Sequence, residues 1–181
     1  MGTTLRPDRG LPVVIGGVTF HFLYTFAVID ELQELYDAPL STILDKLTKD
    51  RRFYSTAGHI IHALIKSDLF NNGEETAPTY DQIMHVLSVK DVARILEAIF
   101  KAYQSDMPDK TDEDFDEDDD VEKINVARLL IIARTEMNMS EEEFWRTTPR
   151  KYFKLFDEYV EFKSGSKKTR RKKGGSIDDL P

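Results

Sequence analysis

Residues 11–36 read "LPVVIGGVTFHFLYTFAVIDELQELY", and the hydrophobic period changes within them. Before Thr25 the apolar residues run in two short β-rich stretches around Gly16-Gly17, a pair suited to a tight hairpin turn. After Thr25 the period is helical: Val28, Ile29, Leu32, Leu35 and Tyr36 fall on one stripe, which Pro39 ends. A two-stranded hairpin is marginal alone, so it must pack on whatever the helices build.

Downstream the helical period persists. A short helix over about 41–48 carries Ile43, Leu44 and Leu47, and Phe53, Ala57, Ile60, Ile61, Leu64 and Ile65 mark a clear amphipathic helix. "NNGEETAP" (71–78) is loop chemistry. Thr79 with Gln82, and Ser88 with Asp91, are capping boxes that open two further helices, the second through Val92, Ile95, Leu96, Ile99, Phe100 and Tyr103. A helix over 121–138 is expected to turn Ile124, Ala127, Leu130, Ile131 and Met137 inward. Ser140 and Glu143 form another capping box, and Thr148-Pro149 is an N-cap followed by proline at the first helical position. The fold class is therefore mainly α: a small N-terminal β-hairpin followed by about seven helices in a compact helical domain.

Composition divides the chain. Residues 1–10 read as a flexible leader and lack the apolar stretch of a signal peptide. Residues 11–105 form the hairpin and helical body. Ten of the fifteen residues in 106–120 are acidic, which reads as a solvated linker. Residues 121–162 are too few for a confident independent domain and are expected to dock on the body. Residues 163–181 read as a disordered basic tail, with seven basic groups between 163 and 173; without the tail, 18 basic groups face 31 acidic ones, a net of −13. The chain has no Cys, which excludes disulfides and thiolate metal sites and points to a reducing compartment. The longest strongly apolar run, "VARLLIIA" (126–133), is far too short to span a bilayer.

Motifs of chemistry are weak. His59 and His62 have a spacing that could place two imidazoles on one metal, but the sequence points to no further ligands, so they read as polar-face or partly buried histidines. Asp112, Asp114 and Asp116 begin like a calcium loop, but Glu117 stands where glycine is required and Lys123 where the bidentate acid belongs. No phosphate loop and no nucleophile motif is present. The reading is non-enzymatic, with no metal and no cofactor. Lys167, Lys168, Arg170, Arg171, Lys172 and Lys173 could attract phosphates, so a nucleic-acid-binding regulator is the alternative. Without an aromatic residue to stack bases, nucleic acid is the disfavoured partner.

Six aromatic rings lie between Phe144 and Tyr159. Phe144, Phe153 and Phe156 are expected to pack the C-terminal segment onto the body. Trp145, Tyr152 and Tyr159 are amphipathic rings of the kind enriched at interfaces, and are the better candidates for partner contact.

The stretch "MNMSEEEFWRTTPRKYFKLFDEYVE" resembles the C-terminal signature of tailed-phage tail assembly chaperones. Ser140, Glu142, Glu143, Phe144, Trp145, Thr148, Pro149 and Arg150 match it; Thr147 replaces the usual apolar residue and Lys151 the usual acid. The Gly-Gly hairpin and "FAVIDELQELYDAPLSTILDKL" are similar to the family's N-terminal half. The resemblance implies a protein without enzymatic activity. In the host cytoplasm it would coat the tape measure protein, keep it soluble, help recruit tail tube protein, and possess some capacity for self-association along the tape measure. Partner contact would then fall on Trp145, Tyr152 and Tyr159, with Phe144 and Pro149 beside them.

Overall fold

The computed structural model describes residues 10–51, 53–108 and 122–165. Most of the leader, residues 109–120 of the acidic linker with Val121 after it, and the tail from 166 onward, with Lys167, Lys168, Arg170, Arg171, Lys172 and Lys173, lie outside the described residues.

Strands β1 (Leu11–Ile15) and β2 (Val18–Phe22) form an antiparallel hairpin in which Ile15 faces Val18, Val13 faces Phe20 and Leu11 faces Phe22. The two turn residues both require positive φ, 58° at Gly16 and 83° at Gly17, which glycine adopts without strain. Val13, Ile15 and Phe22 are buried. The sheet edges are blunted. Pro12 has no N–H to offer, Arg94 Nη2 donates to the Val14 carbonyl at 3.0 Å, and the His21 N–H donates to Asp68 Oδ2 at 3.0 Å.

Eight helices follow among the described residues: α1 (Phe26–Tyr36), α2 (Leu40–Lys49), α3 (Phe53–Asn71), α4 (Tyr80–Val86), α5 (Val89–Asp106), α6 (Val126–Thr135), α7 (Glu141–Trp145) and α8 (Pro149–Lys163). Their starts are written in side chains. Thr79/Gln82, Ser88/Asp91 and Ser140/Glu143 each form both halves of a capping box, and Thr148 caps α8 ahead of Pro149. Helix α1 stops where Asp37 enters the left-handed region at φ 47°, before Pro39 begins the turn into α2.

Helix α3 is the axis of the core. Ala57, Ile60, Ile61, Ala63, Leu64 and Ile65 are all buried, and α1, α2, α4, α5 and β2 pack around it. A helix apolar on most sides must be covered on most sides. It runs past Ile65 to Asn71, with Leu69 still packed against the core. The last turns bury polar groups that hold neighbours: the Ser67 and Thr25 hydroxyls pair at 3.2 Å, and Asp68 receives the His21 N–H.

Helix α6 departs from expectation. It is shorter than 121–138, and it buries Val126 and Ala133 while Ala127 is exposed and Ile131 is 62% exposed. Gln33, a buried polar residue of α1, explains the rotation. Its amide donates to the Ile124 carbonyl at 2.9 Å and accepts the Ile124 N–H at 2.8 Å. That clamp fixes the backbone just before the helix, and Asn125 then caps it by accepting the Arg128 N–H. At the far end Asn138 is left-handed (φ 52°) and the Met139 N–H donates back to the Ala133 carbonyl at 3.0 Å. Leu35, expected on the buried stripe of α1, is likewise 56% exposed.

Candidate functional site: the C-terminal aromatic segment

Helix α7 begins at its capping box and delivers Phe144 into the core, where its ring lies parallel to Phe26 at 4.5 Å. Tyr152 of α8 meets both rings edge-on, at 5.4 Å from Phe26 and 6.0 Å from Phe144. The residues between add polar ties. The Phe26 N–H donates to the Thr147 carbonyl at 3.0 Å, supplying a partner for an otherwise orphan donor in the first turn of α1. The Thr147 hydroxyl donates to the Glu143 carbonyl at 2.6 Å, and Thr148 Oγ1 accepts the Lys151 N–H at 3.4 Å. Arg150 donates from Nε to the Met107 carbonyl at 2.9 Å and from Nη2 to the Gln104 carbonyl at 3.0 Å, so its cation sits at the negative end of α5. Residues 144–152 thus grip α1 and α5 together.

The expected contact residues separate into two groups. Phe144, Pro149 and Tyr152 are buried within this chain. For Tyr152 this corrects the expectation of an outward ring: its hydroxyl donates to the Leu129 carbonyl at 3.2 Å, and a satisfied hydroxyl lets tyrosine occupy a core position. Burial of Tyr152 also pushes its phenol pKa up. Phe153, expected inside, is 36% exposed, because the next residue along a helix points about 100° away. Phe156 is half-buried and stacks beside Tyr152 at 6.4 Å.

Trp145 and Tyr159 remain at the surface, both half-buried. The Trp145 indole N–H donates to Glu141 Oε1 at 3.4 Å, and Glu141 Oε2 lies 3.5 Å from Arg134 Nη1 of α6. Trp145 therefore flanks the helix that carries the half-buried Leu130 and the exposed Ile131. The Tyr159 hydroxyl donates to Glu136 Oε2 at 2.7 Å, which also accepts Lys163 Nζ at 2.8 Å. The hydrogen bonds from Lys163 and Tyr159 hold the Glu136 carboxyl below the usual range, and the same contacts push the Lys163 ammonium pKa up.

The histidines do not converge. His59 Nδ1 lies 2.7 Å from the Tyr36 hydroxyl, and its ring stacks on Tyr80 at 4.4 Å. His62 instead faces Glu31 at 3.9 Å, and His21 faces Asp68 at 3.7 Å. Among the described residues no group of three or more His, Asp or Glu side chains could hold a metal ion. None of the helices there is long and apolar enough to cross a membrane.

Sequence reasoning missed Gln33, Asp68 and Asp106. All three are buried polar residues, and Asp106 accepts the Tyr24 N–H at 2.7 Å. Their signal was present as polar residues interrupting apolar helical patterns, each of which must find a partner once buried. Comparison with protein-family models, with curated proteins and with solved structures gives no match.

Proposed function

We propose that this protein is a non-enzymatic tail assembly chaperone that binds the tape measure protein, keeps it soluble in the host cytoplasm and helps recruit tail tube subunits. One observation carries the reading. The segment matching the family signature holds itself on the body through Phe144, Thr147, Arg150 and Tyr152, while the α6–α7 surface leaves Trp145, Leu130 and Ile131 accessible. An exposed apolar strip beside a half-buried tryptophan suits a client helix that presents its own apolar stripe, in the manner of helix-in-groove recognition. The ion pair between Arg134 and Glu141 gives this strip a polar rim.

Co-expression with the cognate tape measure protein should bring both into the soluble fraction as a complex. The contact is apolar and should survive moderate salt, under which exposed charge pairs are screened beyond about 8–10 Å. Trp145→Ala combined with Ile131→Asp should lower client recovery and leave the helical circular dichroism unchanged. A folded double variant that recovers the client as well as the wild type would move the client site elsewhere. Failure of the wild-type chain to co-purify with any tape measure protein would overturn the function.

A further inference from the structure

The outer side of α8 exposes two apolar side chains and, beside them, two charges of opposite sign. Phe153 (36% exposed) and Val160 (45% exposed) lie seven residues apart and share one face. Beside them Lys154 and Asp157 are exposed, and neither has an ion-pair or hydrogen-bond partner among the described residues. The charges along the helix are also segregated. Arg150, Lys151 and Lys154 come first, with no acid in the first turn, and Asp157, Glu158 and Glu161 follow before Lys163 closes the helix. The Arg150 cation is already placed at the end of α5 and Lys163 on Glu136, which leaves Lys154 and Asp157 as the opposite charges beside the apolar pair.

A second α8 running the other way answers both features. We propose that two copies of this chain associate through α8, antiparallel, about a two-fold axis midway between Phe153 and Val160. This inference does not rest on the chaperone reading. An isologous contact of this kind sets Phe153 of each copy against Val160 of the other. It also brings Lys154 of each copy beside Asp157 of the other, and it sets the two helix dipoles antiparallel. The helix has 15 residues and a length of about 22 Å, so the contact belongs to the small, reversible class of interfaces.

Charge reversal tests this on the full chain by sedimentation velocity across a concentration series, with circular dichroism to verify folding. The wild type should show a concentration-dependent monomer–dimer equilibrium. Lys154→Glu alone sets a new carboxylate against Asp157 of the second copy, and Asp157→Lys alone sets two ammonium groups together. Each should weaken dimerisation by at least about tenfold, since two symmetric contacts change sign. An equimolar mixture of the two single variants should dimerise again, because every reversed charge then meets its opposite, and the double variant should dimerise by itself. A wild type that stays monomeric to high concentration overturns the proposal and leaves the face to another partner. Single variants that dimerise as well as the wild type overturn it too, by placing the interface elsewhere.

Discussion

Phe26 and Phe144 lie with their rings parallel, 4.5 Å between centroids and 5° between planes. Phe26 is the first residue of α1 and Phe144 belongs to the short helix after the acidic stretch, so this contact joins the two ends of the described fold. Both side chains are fully buried, and Tyr152 closes the group edge-on.

Truncating either ring should therefore be severe. Phe144→Ala or Phe26→Ala should each cost about 3–5 kcal/mol in urea unfolding. The pair should show a coupling of about 0.5–1.5 kcal/mol in a double-mutant cycle. Additive losses would mean that the rings are independent hydrophobic fillers.

Arg150 acts on a different helix from its own. Arg150→Ala leaves the Gln104 and Met107 carbonyls at the end of α5 without this donor and should destabilise by about 1–3 kcal/mol. Lysine should rescue poorly, because a single ammonium does not reproduce the two-pronged guanidinium contact. Amide exchange should report the damage at the last turn of α5.

The Tyr24 hydroxyl is buried, with no hydrogen-bond partner among the described residues. Its pKa is pushed well up, chiefly by burial and then by the nearby Asp106 carboxylate. Tyr24→Phe should keep the edge-on ring contact with Tyr103 at 5.8 Å and stabilise the fold by about 1 kcal/mol or more. A lower melting temperature for this variant would show that the hydroxyl has a partner in solution.

Burial, and then the charge of His62, hold the His59 imidazole below its usual pKa of 6.5. The unfolded chain therefore binds the His59 proton more tightly than the folded one. The stabilising effect of this site is fully present above about pH 6.5 and is lost as pH falls through the lower folded value. Unfolding monitored between pH 7.5 and pH 5 should show stability declining with acid, and His59→Gln should reduce that slope. An unchanged slope in the variant would assign the acid sensitivity to other groups.

Local chemistry made the hairpin, the helix starts and the fold class legible in the sequence. Gly16-Gly17, the three capping boxes and Thr148-Pro149 determine their own backbone geometry, and neighbouring residues suffice to read them. Orientation was less legible, because it depends on distant partners. Gln33 sets the rotation of α6 from another helix, and the carbonyl of Leu129 decides that Tyr152 faces inward. At the aromatic segment, spacing identified the ring-bearing face of α8 but not its edges, so Tyr152 and Phe153 exchanged their expected places.

A ribosome delivers the chain from its N-terminus, so Phe26 is made long before the residues that cover it. Until Thr147 arrives, the N–H of Phe26 lacks that carbonyl, and until Arg150 arrives the end of α5 lacks its cation. The body is consequently incomplete through most of its synthesis, with an aromatic ring and two helix ends open to water. A product that terminated early, anywhere before α8, would retain that open surface and be a natural target for proteolysis or aggregation. The late latch thus makes a finished chain physically distinguishable from an unfinished one.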